Sequence, residues 1–377
     1  MKIEQCQWTQ QNGWHPHAPG QLADQAQLLF LFGNLLDLPS ALQDLRVLYP
    51  NAYCLGCSTA GEIYDTQVTD GALVMTAIAF ESTQVKSWSI DLEPGENSFV
   101  AGDRLGSQLD TAGLVHLFVL SDGLQVNGSD LVRGLTQHLP DGVSLTGGLS
   151  ADGPHFRQTW VMLNHEVREG MVAAIGFYGD RLKVGYGSRG GFTPFGPERV
   201  ITQSEGNVLY QLDHQSALEL YRHYLGEHAE NLPASGLLFP LSLQIAEHQY
   251  PVVRTLLAIN EAEQSLTFAG AVPMGATVQL MQASFANLTH AAVQAAEVAQ
   301  QALGEPKSEL AILISCVGRK LLLKQRIEEE VEEVREVLGE DTVLTGFYSY
   351  GEICPFTPGL PADLHNQTMT ITTFAEI

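Results

Sequence analysis

Residues 54–63, with the sequence CLGCSTAGEI, bring together side chains that serve several kinds of chemistry. Cys54 and Cys57 have the C-x-x-C spacing of redox and zinc sites, Ser58 lies in a glycine turn, and Glu62 is a carboxylate. Zinc would require a second ligand pair, and the sequence has no second C-x-x-C and no H-x3-H. Cys54 falls in the apolar, strand-like run AYCL, so we expect it in the core, whereas Cys57 on the turn is expected to be accessible to solvent.

Other chemistries of the glycine turn lack a complete set of residues. A serine nucleophile in an elbow needs Gly-x-Ser-x-Gly, but Ser58 and Ser150 lie in Gly-x-Ser-x-x-Gly, and no histidine or acid can be assigned to a triad. The chain has neither a P-loop nor a G-x-G-x-x-G that opens a helix after a strand. We therefore predict no enzymatic activity, and an enzyme that uses Cys57 or the turn carboxylates is the weaker alternative.

The glycine turn belongs to an internal repeat of strand, helix, strand and turn. The first unit runs from QLLFLFGN to NAYCLGCSTAGEI, the second from HLFVLSDG to GVSLTGGLSADG, and the third from LAILISCVG to DTVLTGFYSYGEI. The turns align as Gly56-x4-Gly61-Glu62, Gly148-x4-Gly153 with Asp152 beside it, and Gly346-x4-Gly351-Glu352. The middle turn lacks the glutamate, so we do not expect a symmetric three-part site.

The elements between the turns predict how the turns are positioned. The apolar residues Leu323, Ile327, Val331, Val334 and Leu338 predict an amphipathic helix that Gly339 terminates. Gly179-Asp180, between two strand-like runs, predicts a hairpin. Strand-helix-strand units place parallel strands side by side, and ligands tend to bind beyond the carboxyl ends of such strands. Since all three glycine turns begin there, we expect them to form a wall of a site.

The predicted fold is α/β, with repeated strand-helix-strand units that form mixed sheets and with two related halves. At 377 residues the chain exceeds the size at which one core usually stops growing. A Gly/Pro-rich stretch, GGFTPFGPE, precedes the expected boundary. We predict an N-terminal extension at 1–25, a first domain at 26–205 and a second domain at 206–377.

Composition excludes several classes of partner. The net charge of −24, with no basic cluster, repels nucleic acid and anionic membranes. The N-terminus has no apolar segment of signal-peptide length, and the most apolar early stretch is too short to span a bilayer. Five cysteines are too few and too irregular for a disulfide framework. The sequence therefore predicts a cytoplasmic protein that binds neither nucleic acid nor membranes.

Five motifs in order along the chain resemble the FIST sensory domain, named for F-box and intracellular signal transduction proteins. The resemblance covers nearly the whole chain, as an N-terminal FIST part followed by a C-terminal FIST part. The motifs are Gly56–Ile63, the Ser121-Asp122-Gly123 turn with Asn127 and Gly128, Leu145–Gly148, Tyr348–Ile353 and His365–Thr370.

The resemblance implies a cytoplasmic signal-input module that binds a small molecule such as an amino acid and acts on a separate partner. One hypothesis is that the turn residues line a polar pocket. The alternative is a purely structural role, in which Glu62 and Glu352 accept backbone N–H hydrogen bonds within their own turns and only stiffen them. The candidate ligand-binding residues are Cys57, Ser58, Gly61, Glu62, Asp122, Asn127, Gly148, Ser150, Asp152, Ser349, Gly351, Glu352 and Asn366.

The resemblance also raises a second function, because a subset of the family are haem-binding nitric-oxide sensors that regulate a histidine kinase. Haem b would need an axial ligand in an apolar pocket, and it would be bound non-covalently because the sequence has no C-x-x-C-H. His155, after the second turn, and His365 are the candidate iron ligands. His15 and His17, near the N-terminus, are expected at the surface.

Overall fold

The strands that the structure describes form three sheets around a common core and a fourth sheet with a core of its own. The computed structural model describes residues 1–33, 39–164, 166–245, 250–357 and 359–377. The predicted mixed α/β class is confirmed. Within these residues, no helix combines the length and apolarity needed to cross a membrane.

The first repeat unit lies within residues 1–91. Their elements are β1 (Lys2–Thr9), β2 (Gly13–His15), β3 (Leu28–Gly33), α1 (Pro39–Leu48), β4 (Tyr53–Cys57), β5 (Glu62–Tyr64), β6 (Gln67–Thr69), β7 (Leu73–Ala79) and β8 (Gln84–Asp91). Every residue of β3 is buried, as is typical of a strand covered on both faces. Residues 1–25, which the sequence sets apart as an extension, contribute β1 and β2 to the same sheet as β3.

The second repeat unit lies within residues 92–191. The elements there are α2 (Ser98–Gly106), β9 (Leu114–Ser121), α3 (Gly128–Thr136), β10 (Ser144–Leu149), β11 (Val161–Leu163), β12 (Glu166–Arg168), β13 (Met171–Tyr178) and β14 (Leu182–Arg189). Asn127 begins α3, because its side-chain oxygen accepts a hydrogen bond from the backbone N–H of Asp130 at 3.2 Å.

Residues 192–283 form the fourth sheet. Its elements are β15 (Phe192–Glu205), β16 (Val208–Leu212), β17 (Gln215–Ser216), α4 (Ala217–Leu225), β18 (Leu241–Gln244), β19 (Val252–Arg254), β20 (Leu256–Asn260), β21 (Ser265–Phe268) and β22 (Thr277–Ala283). We call it sheet IV; its strand order is β19-β18-β22-β15-β16-β21-β20, with β17 beside β16. It has its own apolar core, which includes Leu209, Leu241 and Phe268.

The third repeat unit lies within residues 284–377. The elements are α5 (Phe285–Leu303), β23 (Leu310–Cys316), α6 (Val317–Leu323), α7 (Ile327–Leu338), β24 (Val343–Ser349), β25 (Gly351–Pro355), β26 (Ala362–His365) and β27 (Met369–Glu376). The predicted amphipathic helix is α7, and Gly339 terminates it with a φ of 88°. Leu323 belongs to α6 instead, because Lys324 has a φ of 53° and interrupts the helix.

Each repeat unit forms the centre of one sheet, and the three sheets share one strand order. The parallel pair of each unit is flanked by an antiparallel strand on one side and a hairpin on the other. The orders are β12-β11-β4-β3-β7-β1-β2 in sheet I, β26-β25-β10-β9-β13-β8 in sheet II and β6-β5-β24-β23-β27-β14 in sheet III. The units are therefore related by a pseudo-threefold axis.

The chain passes to a different sheet after every glycine turn. The hairpin β5-β6 follows the first unit but pairs with β24 of sheet III. In the same way, β11-β12 follows the second unit and joins sheet I, and β25-β26 follows the third and joins sheet II. The predicted hairpin at Gly179-Asp180 is wrong for a related reason, since β13 pairs in sheet II and β14 in sheet III.

Aromatic pairs fill the space between the three sheets. Phe30 of sheet I contacts Phe118 of sheet II with ring centroids 5.2 Å apart. The other two pairs are Phe32 with Phe347 at 4.8 Å and Phe177 with Phe374 at 5.3 Å. Each pair joins a different two of the three sheets, so one apolar core holds all three together.

Candidate functional site

The three glycine turns meet beyond the carboxyl ends of β4, β10 and β24. Each turn donates one backbone hydrogen bond to a neighbouring turn, around the pseudo-threefold axis. The bonds run from Ala60 N–H to Tyr348 O at 2.8 Å, from Ala151 N–H to Ser58 O at 2.9 Å and from Tyr350 N–H to Leu149 O at 3.3 Å. We call residues 58–60, 149–151 and 348–350 the turn ring.

The turn ring corrects the predicted alignment of the middle turn. In the parallel pairs, Leu31 lies opposite Gly56, Leu313 opposite Gly346, and Val119 opposite Gly147. Gly147, with a φ of 153°, and not Gly148, is therefore the equivalent of the other two strand glycines. A side chain is excluded there because a Cβ on Gly147 would lie 1.8 Å from the carbonyl oxygen of Val119.

The two turn glutamates are buried and bonded within the protein. The Glu62 carboxylate accepts hydrogen bonds from the Thr59 hydroxyl at 2.6 Å and the Ala72 backbone N–H at 3.1 Å. Glu352 is bonded in a similar way. Its carboxylate accepts hydrogen bonds from the hydroxyl of Ser349, three residues before it, at 2.6 Å and from the hydroxyl of Thr368 at 2.9 Å. This geometry favours the stiffening role over direct contact with a ligand.

Burial changes the ionisation of both glutamates. It raises the pKa of Glu62 to about 7, although the bonds from Thr59 and Ala72 and the charge of Lys320 act in the opposite direction. It raises the pKa of Glu352 to about 8, opposed by bonds from Ser349 and Thr368. Near neutral pH, Glu352 therefore holds a proton much of the time.

The predicted aspartates and serines also bond within the protein. Asp122 is buried, and it accepts hydrogen bonds from the backbone N–H groups of Leu124, Gln125 and Gly170. The Asp152 carboxylate accepts hydrogen bonds from the backbone N–H groups of Arg157 and Gln158. Ser58 Oγ accepts from Trp160 N–H at 2.9 Å, and Ser150 Oγ accepts from Gly123 N–H at 3.1 Å. These side chains hold the loops around the turn ring in place.

Neither cysteine of the C-x-x-C motif is accessible. Cys54 is buried, as predicted. The expectation that Cys57 is accessible to solvent is wrong, because Cys57 is the last residue of β4 and pairs with Val161 on one side and Phe32 on the other. Burial and the nearby Glu62 raise the pKa of the Cys57 thiol well above its ordinary value, so it is not an activated nucleophile.

A cavity of about 290 Å³ lies beside the turn ring, between sheet II and sheet IV. Its walls come from the loop after β9, the start of α3, the third glycine turn and the strands of sheet IV. The lining residues are 123–128, Leu149, Phe156, Asn207, Leu257, 268–270, Tyr350 and Leu364. No acidic or basic side chain is among them, although the protein carries a net charge of −24.

Tyr350 of the turn ring forms part of the cavity wall and is held firmly. Its ring stacks on Phe156 with centroids 4.3 Å apart and an angle of 9° between planes. Its hydroxyl donates to the Asp152 carboxylate and accepts from the Phe156 backbone N–H at 3.2 Å. Asp152 thus reaches the cavity indirectly, by fixing Tyr350.

Arg254 connects sheet IV to the three-sheet body at the edge of the cavity. It lies at the end of β19, is 1% exposed, and donates to the Leu364 carbonyl oxygen at 3.1 Å and to the Ser129 hydroxyl at 3.2 Å. Its side chain also packs against Gly270, which lines the cavity. The position of sheet IV and the shape of the cavity are therefore linked.

Two family models match consecutive parts of the chain: the FIST N domain over residues 27–215 and the FIST C domain over residues 217–355. The chain belongs to the FIST family. FIST domains are signal-transduction sensory modules of the small-ligand-binding type. No curated protein sequence is significantly similar to the chain. A solved cyanuric acid hydrolase from A. caulinodans is 12% identical, covers 78% of this chain and 99% of its own, and has a TM-score of 0.18, too low to support an argument.

In this FIST protein, the cavity includes only part of what the sequence singled out. Of the candidate ligand-binding residues, Asn127 lines the cavity, and the others do not. Asn366 is buried, and its amide donates to the His365 carbonyl oxygen at 3.1 Å. Sequence reasoning missed Phe156, Leu257 and Phe268, which belong to no motif. The motifs that contain Gly123, Asn127, Gly128 and Tyr350 were the signals that pointed to the cavity.

The candidate haem ligands do not fit a haem site in the FIST fold seen here. His155 is exposed, and His365 is buried with Nε2 donating to the Cys354 carbonyl oxygen at 2.8 Å. A second cavity, of about 700 Å³, lies beyond Arg254 and includes Tyr250 and Met274. Among the described residues, no histidine lines this cavity or the one beside the turn ring. Haem binding therefore stays a prediction.

Proposed function

We propose that this FIST protein is a sensor that binds a small carboxylate-bearing metabolite, of the amino-acid class, in the cavity beside the turn ring. The composition of the cavity wall supports this ligand class. One side presents the start of a helix, and the other presents apolar and aromatic side chains. A ligand with one anionic group and an apolar or aromatic remainder matches both sides.

The start of α3 supplies the site for the anionic group. Asn127 and Gly128 line the cavity at the first residues of this helix. Backbone N–H groups and the helix dipole make such a position favourable for a carboxylate. Since no acidic side chain lines the cavity, the ligand's charge meets no direct repulsion despite the acidic character of the whole protein.

The opposite wall supplies contacts for the remainder of the ligand. Phe156 and Tyr350 form a stacked pair there, and Leu257 and Phe268 come from sheet IV. A volume of about 290 Å³ lies at the lower end of the range for ligand pockets. This size favours a molecule as small as an amino acid over a nucleotide or a macrocycle.

The position of the cavity suggests how binding is reported. The ligand would touch both the three-sheet body and sheet IV, so it would favour arrangements in which both contacts are made. Arg254 joins the same two parts. We propose that a partner protein, for which a separate histidine kinase is the candidate, recognises the arrangement of sheet IV.

Isothermal titration of the purified protein with each of the twenty amino acids tests the proposal. We expect at least one to bind with one site per chain and a dissociation constant between about 1 μM and 1 mM, which corresponds to roughly 4–8 kcal/mol. If none of them binds, and simple mono- and dicarboxylic acids do not bind either, the assignment of the ligand class is wrong.

A further inference from the structure

Three side chains near the N-terminus lie close enough to share one metal ion. Glu4 and Cys6 are two residues apart on β1, so strand geometry places both on one face of sheet I. His17 lies in the segment after β2 and folds back onto that face. One ligand atom from each of the three residues lies within 4.8 Å of the other two.

The distances suit coordination through particular atoms. Cys6 Sγ lies 3.3 Å from His17 Nδ1, and Glu4 Oε1 lies 4.0 Å from the same nitrogen. Ligand atoms on a tetrahedral zinc ion are separated by about 3.3–3.6 Å, given the usual zinc–ligand bond lengths. Small side-chain movements would therefore bring all three atoms to one ion.

The surroundings of the three residues restrict two of them and leave the third adjustable. Glu4 is buried. Its carboxylate accepts three hydrogen bonds of 2.8 Å, from the backbone N–H groups of Gly20 and Leu22 and from the Tyr49 hydroxyl. Cys6 is fully buried. The His17 side chain is 34% exposed, so an ion can enter from solvent on the histidine side.

We propose that Glu4, Cys6 and His17 bind one zinc ion, with a water molecule as the fourth ligand. A thiolate, an imidazole and a carboxylate are the ligand types that zinc prefers, and one open position is typical of three-ligand sites. On binding, the Cys6 thiol passes its proton to solvent. His17 Nδ1 lies 3.0 Å from the Ala18 carbonyl oxygen, so zinc replaces this hydrogen bond and the ring proton moves to Nε2. The ion joins the segment around His17 to β1.

Metal retention by matched variants tests the site. Chelator-treated protein is mixed with excess zinc chloride and desalted, and zinc is measured by mass spectrometry. We expect about one zinc per chain in the wild type and in Cys54→Ser, a buried cysteine elsewhere in sheet I, and at least a tenfold loss in Cys6→Ser and His17→Gln. Cobalt chloride serves as the second probe, because thiolate coordination produces a charge-transfer band that Cys6→Ser should lack.

Two outcomes overturn the site. One is a wild type that retains no zinc after desalting; the other is equal retention by the wild type and His17→Gln. Since His17 is partly exposed, His17→Gln is expected to fold, and circular dichroism checks that it does. Should Cys6→Ser fail to fold, retention by His17→Gln and the cobalt spectrum of the wild type still decide.

Discussion

The backbone N–H of Ala151 donates a 2.9 Å hydrogen bond to the carbonyl oxygen of Ser58, which joins the second glycine turn to the first. Equivalent bonds connect Ala60 to Tyr348 and Tyr350 to Leu149. The turn ring forms because β4, β10 and β24 hold equivalent registers in their sheets and their carboxyl ends meet. The glycines therefore serve to bring the backbones together, and the cavity forms beside the ring.

Substitution of Gly147 tests the position of the middle turn. Gly147→Ala should lower the free energy of unfolding by at least about 3 kcal/mol, because the new Cβ would meet the Val119 carbonyl oxygen at 1.8 Å and φ is 153°. Gly148→Ala should cost about 1–2 kcal/mol, since its Cβ would meet the Ile314 side chain at 2.9 Å. Urea unfolding measures both values, and a larger loss in Gly148→Ala would contradict the alignment.

Much of this fold follows from the sequence, since β3, β9 and β23 are apolar runs and Gly339 ends α7 as expected. The exchange of hairpins between sheets could not be predicted from the sequence. β5 and β6 are short, with no pattern that says which sheet they join. β24, the strand that β5 joins, lies almost 300 residues away, and tertiary contacts such as the Arg335–Asp65 ion pair favour that pairing.

Glu352→Gln should make stability less dependent on pH. The pKa of Glu352 is about 8 in the folded protein against an ordinary 4.5. Because the folded state holds the proton more tightly, this group's contribution to stability is complete below about pH 4.5 and is lost as pH rises towards 8. Glutamine is uncharged at every pH, so the variant lacks this loss. Between pH 4.5 and 8, its free energy of unfolding should fall less steeply than that of the wild type, with a difference in slope of up to about 1.4 kcal/mol per pH unit.

Urea unfolding at a series of pH values measures this effect, with Glu62→Gln and Glu333→Gln beside it. Glu62→Gln should show the same change over a shorter interval, because the pKa of Glu62 is about 7. Glu333 is exposed on α7, so its variant should match the wild type. An unchanged pH dependence in Glu352→Gln would mean that the buried carboxyl is not protonated in the folded state.

The buried pair of Arg319 and Glu330 should stabilise the third unit as a connected set. Arg319 donates to Glu330 at 2.7 Å, and the Tyr348 hydroxyl of the turn ring donates to the same carboxylate at 2.7 Å. Arg319→Met should cost about 3–5 kcal/mol because it leaves a buried charge unpaired. The double variant with Glu330→Leu should cost less than the sum of the single variants, and additive costs in urea unfolding would contradict the coupling.

Arg254→Met should loosen sheet IV without unfolding the three-sheet body. The methionine keeps apolar contacts but removes the hydrogen bonds to Leu364 and Ser129. We expect at least tenfold faster hydrogen exchange in β18, β19 and β22, and unchanged exchange in β3, β9 and β23. Arg222→Met is the matched control, because Arg222 pairs with Glu261 on the surface, where little stability is expected from an ion pair.

The candidate site was predictable only in its neighbourhood. The sequence placed ligand binding at the carboxyl ends of the repeated strands, and the loop from 123 to 128 and Tyr350 lie there. It also proposed the turn carboxylates, but the buried Glu62 and Glu352 are bonded within the protein, both to their own turns and to Ala72 and Thr368 respectively. Leu257 and Phe268 come from sheet IV, whose strands have no motif and whose placement depends on tertiary contacts.

Titration of two tryptophan variants decides whether the small ligand occupies the cavity beside the turn ring. Leu257 lines the cavity and is 40% exposed, so Leu257→Trp should fill the cavity and still fold; Val200, 43% exposed in the same sheet, is the matched control away from it. For the amino acid that binds the wild type most tightly, we predict that the dissociation constant is at least tenfold larger in Leu257→Trp and unchanged in Val200→Trp. A tenfold increase corresponds to about 1.4 kcal/mol of binding free energy. Equal binding by Leu257→Trp and the wild type would mean that the ligand binds elsewhere.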